Sequence, residues 1–290
     1  MLARAAALAV VVAAGSGLAA PAAHAGPYVD AVKAAVSPAR LASPVPKRLN
    51  PLPSRLWTAR PHGCVTWGGL GRRCTLGDVH ASRRMVLFGD SHAGSWLRAF
   101  SYYASTRGYA LTPMVHAGCT TGTAPFPTGC RGWYLSALAR MRALGTRIVV
   151  IAQYVDPREP ASATYHGIYR EVGGMRRVVP HVIVLQDAPR HLQLEPRRCL
   201  QQPGATLGDC TFRVDAVERA EYPAIARIVK QRGGIWFRTA QWFCYRSVCP
   251  TVVRRTITFV DTNHPTTTYV RVLAPAVAAT LDGMVGSRPR

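Results

Sequence analysis

The sequence has no Cys-x-x-Cys pair, no segment that repeats at a fixed period and, beyond its N-terminal stretch, no long uncharged apolar run. The first absence, with histidines scattered along the chain, argues against a zinc site of the usual ligand spacing. The second excludes a stacked-repeat architecture. The third excludes a membrane span of about 20 residues in the body of the chain. Acidic residues are also scarce: 14 Asp and Glu stand against 36 Lys and Arg, giving a formal net charge of +22. That balance draws a protein toward anionic polymers or lipid head groups; the bland reading is an arginine-rich genome supplying solvated residues. No recognisable nucleic-acid module accompanies the charge, so nucleic acid is not an expected partner.

The N-terminal stretch is what the rest of the chain is not. Residues 1–25 carry one positive charge, Arg4, then an Ala/Val-rich run, then small residues ending in Ala23-His24-Ala25. This fits the A-x-A pattern cut by signal peptidase, predicting a secreted or extracytoplasmic chain that begins near Gly26 after cleavage at Ala25. The apolar stretch Ala5–Val12 is short for a retained anchor. Eight cysteines in such a chain favour disulfides, and although 105 pairings are possible, neighbours along the chain favour four short loops. These are Cys64–Cys74, Cys119–Cys130, Cys199–Cys210 and Cys244–Cys249. No metal and no organic cofactor is expected.

Residues 26–62 are rich in Pro, Ala and Ser, and Pro44, Pro46, Pro51 and Pro53 leave no room for a helix or central strand between them, so the segment reads as an extended lead-in to one domain over 63–290. From Arg84 onward short apolar runs alternate with amphipathic stretches, the pattern of parallel strands with crossover helices. Strands are predicted at Met85–Phe88, Ala110–Val115, Arg147–Ile151, Val182–Leu185 and Ile235–Arg238, and helices at Ser95–Thr106, Gly132–Ala143, Asp215–Gln231 and Thr266–Leu281. The result is a three-layer α/β/α domain whose functional residues sit just past the strand ends.

Ser91 falls at such a place, after the apolar run Val86-Leu87-Phe88 and the turn residue Gly89, at the start of a helix. Backbone N–H groups there are oriented to receive negative charge. A serine hydroxyl needs a base held in its useful tautomer by a third group. Asp261-Thr262-Asn263-His264 offers both, with Asp261 to orient and His264 to move the proton; taken alone, Asp261 or Asn263 is as readily a helix cap. His92 reads as packing or a substrate-side hydrogen bond, and Asp90 as a local turn brace. Trp67, Trp96, Trp133, Trp236 and Trp242 could stack on sugars, but tryptophan is more often core.

Together these segments resemble the SGNH hydrolase superfamily, specifically the periplasmic SGNH domain associated with membrane O-acyltransferases of surface polysaccharides. The resemblance is carried by Cys64 to Cys74 with Leu76-Gly77-Asp78, by Leu87-Phe88-Gly89-Asp90-Ser91-His92-Ala93 and Trp96, and by Gly118-Cys119 with Cys130 and Trp133. It continues through Val184-Leu185-Gln186-Asp187-Ala188-Pro189, Cys199-Leu200, Cys244 to Cys249-Pro250, and Asp261-Thr262-Asn263-His264. It implies a flavodoxin-like five-stranded parallel sheet and a triad of Ser91, His264 and Asp261. It also implies an oxyanion hole built from the serine N–H, a glycine N–H after the second strand, matched by Gly118, and an asparagine after the third. The chain departs at that last point: where the hydrolases show Gly-x-Asn-Asp it reads Ile151-Ala152-Gln153-Tyr154, so either Gln153 substitutes, or another group does, or activity is modest. Losing one such donor costs about 10²–10³ in rate.

The implied activity is that of an esterase or O-acyltransferase on acetyl or short acyl esters of cell-envelope saccharides. The chain is expected to act as a monomer, with a separate membrane acyltransferase as partner if it transfers rather than hydrolyses. The alternative is a catalytically weak or inactive module of the same fold that binds anionic cell-wall polymers.

Overall fold

The computed structural model describes residues 26–55, 64–66, 74–191, 193–214 and 216–286. The expected signal peptide, its cleavage point at Ala25, and Trp67 lie outside these residues. The main sheet contains β1 (Val65–Thr66), β2 (Leu76–Gly77), β3 (Arg84–Gly89), β4 (Ala110–His116), β5 (Thr146–Ala152), β6 (His181–Leu185) and, after the short β7 (Thr211–Arg213), β8 (Ile235–Phe237). Its five longer members lie in the order β4-β3-β5-β6-β8, all parallel, which is the flavodoxin-like order. Two short strands widen it beyond the expected five: β1 runs parallel and β2 antiparallel along the outer edge of β4. Each has two residues, too few for any periodicity to register. Away from the sheet, β9 (Val248–Pro250) pairs with β7, and β10 (Val252–Val253) with β11 (Thr256–Ile257).

The helices are α1 (Gly26–Ala35), α2 (Pro38–Leu41), α3 (Ser91–Arg107), α4 (Cys130–Ala143), α5 (Ala161–Arg176), α6 (Pro196–Leu200), α7 (Ala216–Gln231) and α8 (Thr267–Val285). Strands β3, β5 and β6 are apolar on both faces because both faces are covered, so they read as continuous hydrophobic runs. Alternation survives in where each side chain goes. Met85 and Leu87 of β3 join a core with Trp96 and Phe100 of α3 and Leu273 and Val277 of α8. Val86 and Phe88 face the opposite core, with Trp133 of α4, Val172 of α5 and Val229 of α7. Ser91 enters α3 directly from β3, so the packing of one strand and one helix fixes its position.

Two of the longer helices depart from the sequence expectation. The stretch before Pro38 is helical rather than extended: α1 carries its only proline, Pro27, in the first turn, where a missing N–H costs nothing. It buries Val32 and Ala35 against the core. The proline-bearing part from Pro44 bridges Thr206 from Pro44 and Thr256 from Asn50 in extended form, but Pro53–Arg55 closes into a single 3-10 turn. The second difference is α5, which was not expected because three glycines interrupt its pattern. At Gly167 a Cβ would stand 2.1 Å from the carbonyl oxygen of Gly122, so a close crossing over the loop after β4 requires glycine there. The four short-range disulfides are present as paired from the sequence, closing separations of 10, 11, 11 and 5 residues.

Candidate active site

Strand β3 ends in Gly89, whose φ is 144° and where a Cβ would lie 1.8 Å from the Ala152 carbonyl oxygen on β5. No side chain fits between these strand ends, and the chain turns at once into α3. Asp90 caps that helix by accepting from the His92 N–H at 2.9 Å. Its other carboxylate oxygen accepts from the Thr120 hydroxyl at 2.8 Å and the Tyr154 N–H at 2.9 Å. Asp90 is therefore more than a local brace, since one buried carboxylate ties together the loops after β3, β4 and β5.

The Asp261–His264 segment follows β11. The Asp261 carboxylate accepts from the backbone N–H of Asn263 at 3.0 Å and of His264 at 2.8 Å, which folds the turn tightly. The cap of α8 falls to Thr266, whose hydroxyl accepts from the Tyr269 N–H at 3.0 Å. Asp261 and Asn263 are thus released from capping duty, and the Asp261 carboxylate meets His264 Nδ1 at 2.9 Å. The other ring nitrogen, Nε2, lies 2.8 Å from Ser91 Oγ, so folding brings together residues 173 positions apart. Burial pushes the Asp261 carboxyl up, but the His264 imidazole and the two turn N–H groups outweigh it and hold the group at about 2. It is ionised throughout the neutral range and fixes the His264 tautomer with its lone pair toward Ser91.

His92 turns inward. It is buried, its Nδ1 lies 2.6 Å from Asp187 Oδ1, and its ring packs 4.5 Å from that of His264 and 5.0 Å from Tyr154. Burial would depress this imidazole, but Asp187 outweighs burial, Asp90 and Asp261 add attraction, and its pKa rises to about 9. A protonated His92 donates to Asp187, which also accepts from the Val155 and Ala188 N–H groups. The role of Asp187 and the packing of Tyr154 were not anticipated from the sequence; both depend on contacts between distant strand ends that no local pattern marks.

Gly118 lies two residues past β4 with φ 81° and no atom within 4 Å of where a Cβ would stand, on a loop pinned by the Cys119–Cys130 disulfide. Gln153 departs from its expected role. Its carbonyl oxygen accepts from the Gly122 N–H at 3.0 Å and its amide donates to Glu171 at 2.9 Å, so both ends are taken up in a buried network beneath the loop. Glu171, at the centre of that network, is pushed up to about 7 by burial against the hydrogen bonds from Thr121 and Gln153. Of the tryptophans, Trp96, Trp133 and Trp242 are core and Trp236 is partly exposed. Among the described residues no three His, Cys, Asp or Glu side chains converge as a metal site would need.

The family model described as SGNH domain (fused to AT3 domains) matches residues 60–279. No curated protein matches the sequence significantly. Among solved structures, the periplasmic domain of a lipopolysaccharide acetyltransferase from Salmonella ser. Paratyphi A superposes with a TM-score of 0.55, at 13% identity over 87% of this chain and 94% of that one. Axe2, an acetylxylan esterase from Geobacillus stearothermophilus, gives a TM-score of 0.44 at 12% identity, over 73% of this chain and 100% of that one.

Proposed function

This chain belongs to the family of SGNH domains described as fused to AT3 domains, and from that premise we propose that it is an extracytoplasmic serine-dependent acyl esterase or O-acyltransferase. Ser91 is the nucleophile, His264 the general base and acid, and Asp261 the group that orients His264. The observation that carries the reading is the continuous chain of hydrogen bonds from Ser91 Oγ through His264 to Asp261, at 2.8 and 2.9 Å. In the reaction Ser91 Oγ attacks an ester carbonyl while His264 Nε2 takes its proton, and the N–H groups of Ser91 and Gly118 hold the developing oxyanion. The carbon–oxygen bond to the alcohol breaks, the alcohol leaves with the proton from His264, and Ser91 carries the acyl group. Water or a sugar hydroxyl, deprotonated by His264, then releases it as acid or as new ester.

Acetyl or other short acyl esters of cell-envelope saccharides are the proposed substrates. Export is supported by the signal-peptide pattern at residues 1–25 and by four disulfides. Because Gln153 is committed elsewhere, two backbone donors carry the oxyanion, and turnover is expected below that of a three-donor site. The test is hydrolysis of a chromogenic acetyl ester by the protein and by Ser91→Ala, with a loss of at least about 10³-fold expected. An organophosphonate should label the parent and spare the variant. Equal turnover by the two proteins would refute catalysis at this serine and leave the polymer-binding alternative.

A further inference from the structure

A groove of about 550 Å³ lies between α7 and β8, the last strand of the main sheet's order. Its lining includes Gln186 and Pro189, which flank the Asp187 that holds His92, so it opens beside the carboxyl rim that carries Ser91. The floor is aromatic: Trp236 and Tyr222 have ring centroids 6.1 Å apart. The rim is cationic, with exposed Arg219 and Lys230 from α7 and exposed Arg238 and Arg246 from the facing chain. Among the described residues the one acid in the lining, Glu218, is 1% exposed and turned toward Arg190, so no exposed carboxylate of the described lining offsets the rim.

The partly exposed indole of Trp236 offers a flat apolar face suited to the C–H face of a sugar ring. Guanidinium groups match carboxylate or phosphate in a two-pronged fashion. We propose that this groove binds an acidic saccharide segment, one bearing carboxylate or phosphate groups, as a subsite for a polymer whose ester reaches Ser91. Its link to catalysis rests on the reading given above; the binding itself does not.

The test therefore uses the Ser91→Ala protein, in which turnover plays no part, and follows tryptophan fluorescence and heat on titration with an oligogalacturonide, an oligomeric sugar phosphate, an uncharged maltooligosaccharide of equal length, and inorganic polyphosphate. One or both acidic saccharides should bind at least about tenfold more tightly than the neutral one at moderate ionic strength. Arg238→Glu/Arg246→Glu should remove about tenfold of that affinity, and Arg131→Glu/Arg142→Glu on α4 less than about twofold. Trp236→Leu, which keeps an apolar side chain at this partly exposed position but removes the ring, should weaken the saccharide and leave polyphosphate unchanged. Equal losses in the two charge-reversed proteins, equal affinity for neutral and acidic sugars, or indifference of the saccharide to Trp236→Leu would each overturn the assignment. Failure of Ser91 to hydrolyse a small acetyl ester would leave this result untouched.

Discussion

His92 and Asp187 form a buried pair behind the Ser91–His264 contact, and its energetics can be read from its titration. The folded-state value of about 9 lies above the ordinary 6.5 of histidine, so folding takes up a proton. The stabilisation is fully present below pH 6.5 and is lost as pH rises through 9. A shift of this size corresponds to on the order of 3 kcal/mol. The melting temperature should fall as pH is raised from 6.5 to 9.5, and Asp187→Asn should flatten that fall while lowering stability by on the order of 3 kcal/mol at neutral pH, because the buried imidazole without its carboxylate gives up its proton and the pairing is lost. A thermal-denaturation series over that range, run on both proteins, reads both effects, and a parent profile already flat would contradict the pairing. This pair was not legible in the sequence, although the Asp-x-x-His turn was. Asp261 and His264 are three residues apart and announce each other, whereas His92 and Asp187 are 95 apart and meet only because β3 and β6 end at the same rim. The partners of Gln153 were illegible for the same reason: its position after the third strand was clear, but not that Glu171 would come up beneath it from α5.

The element that most affects the site is α5, the one helix of the central layers that its composition disguised. Helix propensity penalises glycine by about 1 kcal/mol relative to alanine, and tertiary packing overrides that penalty here. Gly167 lets the helix approach the backbone of Gly122, and four residues further on Glu171 takes hydrogen bonds from Thr121 and Gln153. Arg170 on the same helix donates to the carbonyls of Thr121 at 2.6 Å and Thr123 at 2.7 Å. The loop that carries Gly118 is thus held from below by three consecutive features of one helix. Gly167→Ala should destabilise the protein by about 1–3 kcal/mol despite the better helix former, since the methyl must displace the loop backbone. If Gly118 helps bind the oxyanion, the same substitution lowers kcat on a small acetyl ester with little change in KM, as a loss confined to the transition state requires. Urea unfolding and steady-state kinetics on the one variant measure the two effects. A stabilised protein with unchanged kcat would show that the crossing is loose. Helices α3 and α8, by contrast, were legible from their apolar spacing to within four residues at each end: α3 begins at Ser91 rather than Ser95, and α8 runs past Leu281 to Val285, where Gly286 closes it in the left-handed conformation.

At the scale of the whole molecule, covalent and non-covalent cohesion are separate. None of the four disulfides spans more than 11 residues, so none joins one helical layer to the other. The layers are held by the two cores on either face of the sheet, while within one layer the Arg107–Asp282 ion pair, 2.6 Å, joins α3 to α8. Closing loops this short removes about 2–3 kcal/mol of unfolded-state freedom each in the chain-entropy picture. Reduction should therefore lower the urea midpoint clearly while unfolding stays cooperative and the far-ultraviolet circular dichroism of the native state persists, because the sheet and its cores need no cross-link to assemble. The site should suffer before the fold does. Cys119 adjoins Gly118 and its bond to Cys130 ties the loop after β4 to the first residue of α4, so mild reductant should depress ester turnover at urea concentrations where the circular dichroism is unchanged. Following both signals in parallel with increasing reductant separates the two contributions. Collapse of the far-ultraviolet signal at the same reductant concentration as the activity, in the absence of urea, would mean that the rim loops carry the stability of the sheet rather than the reverse.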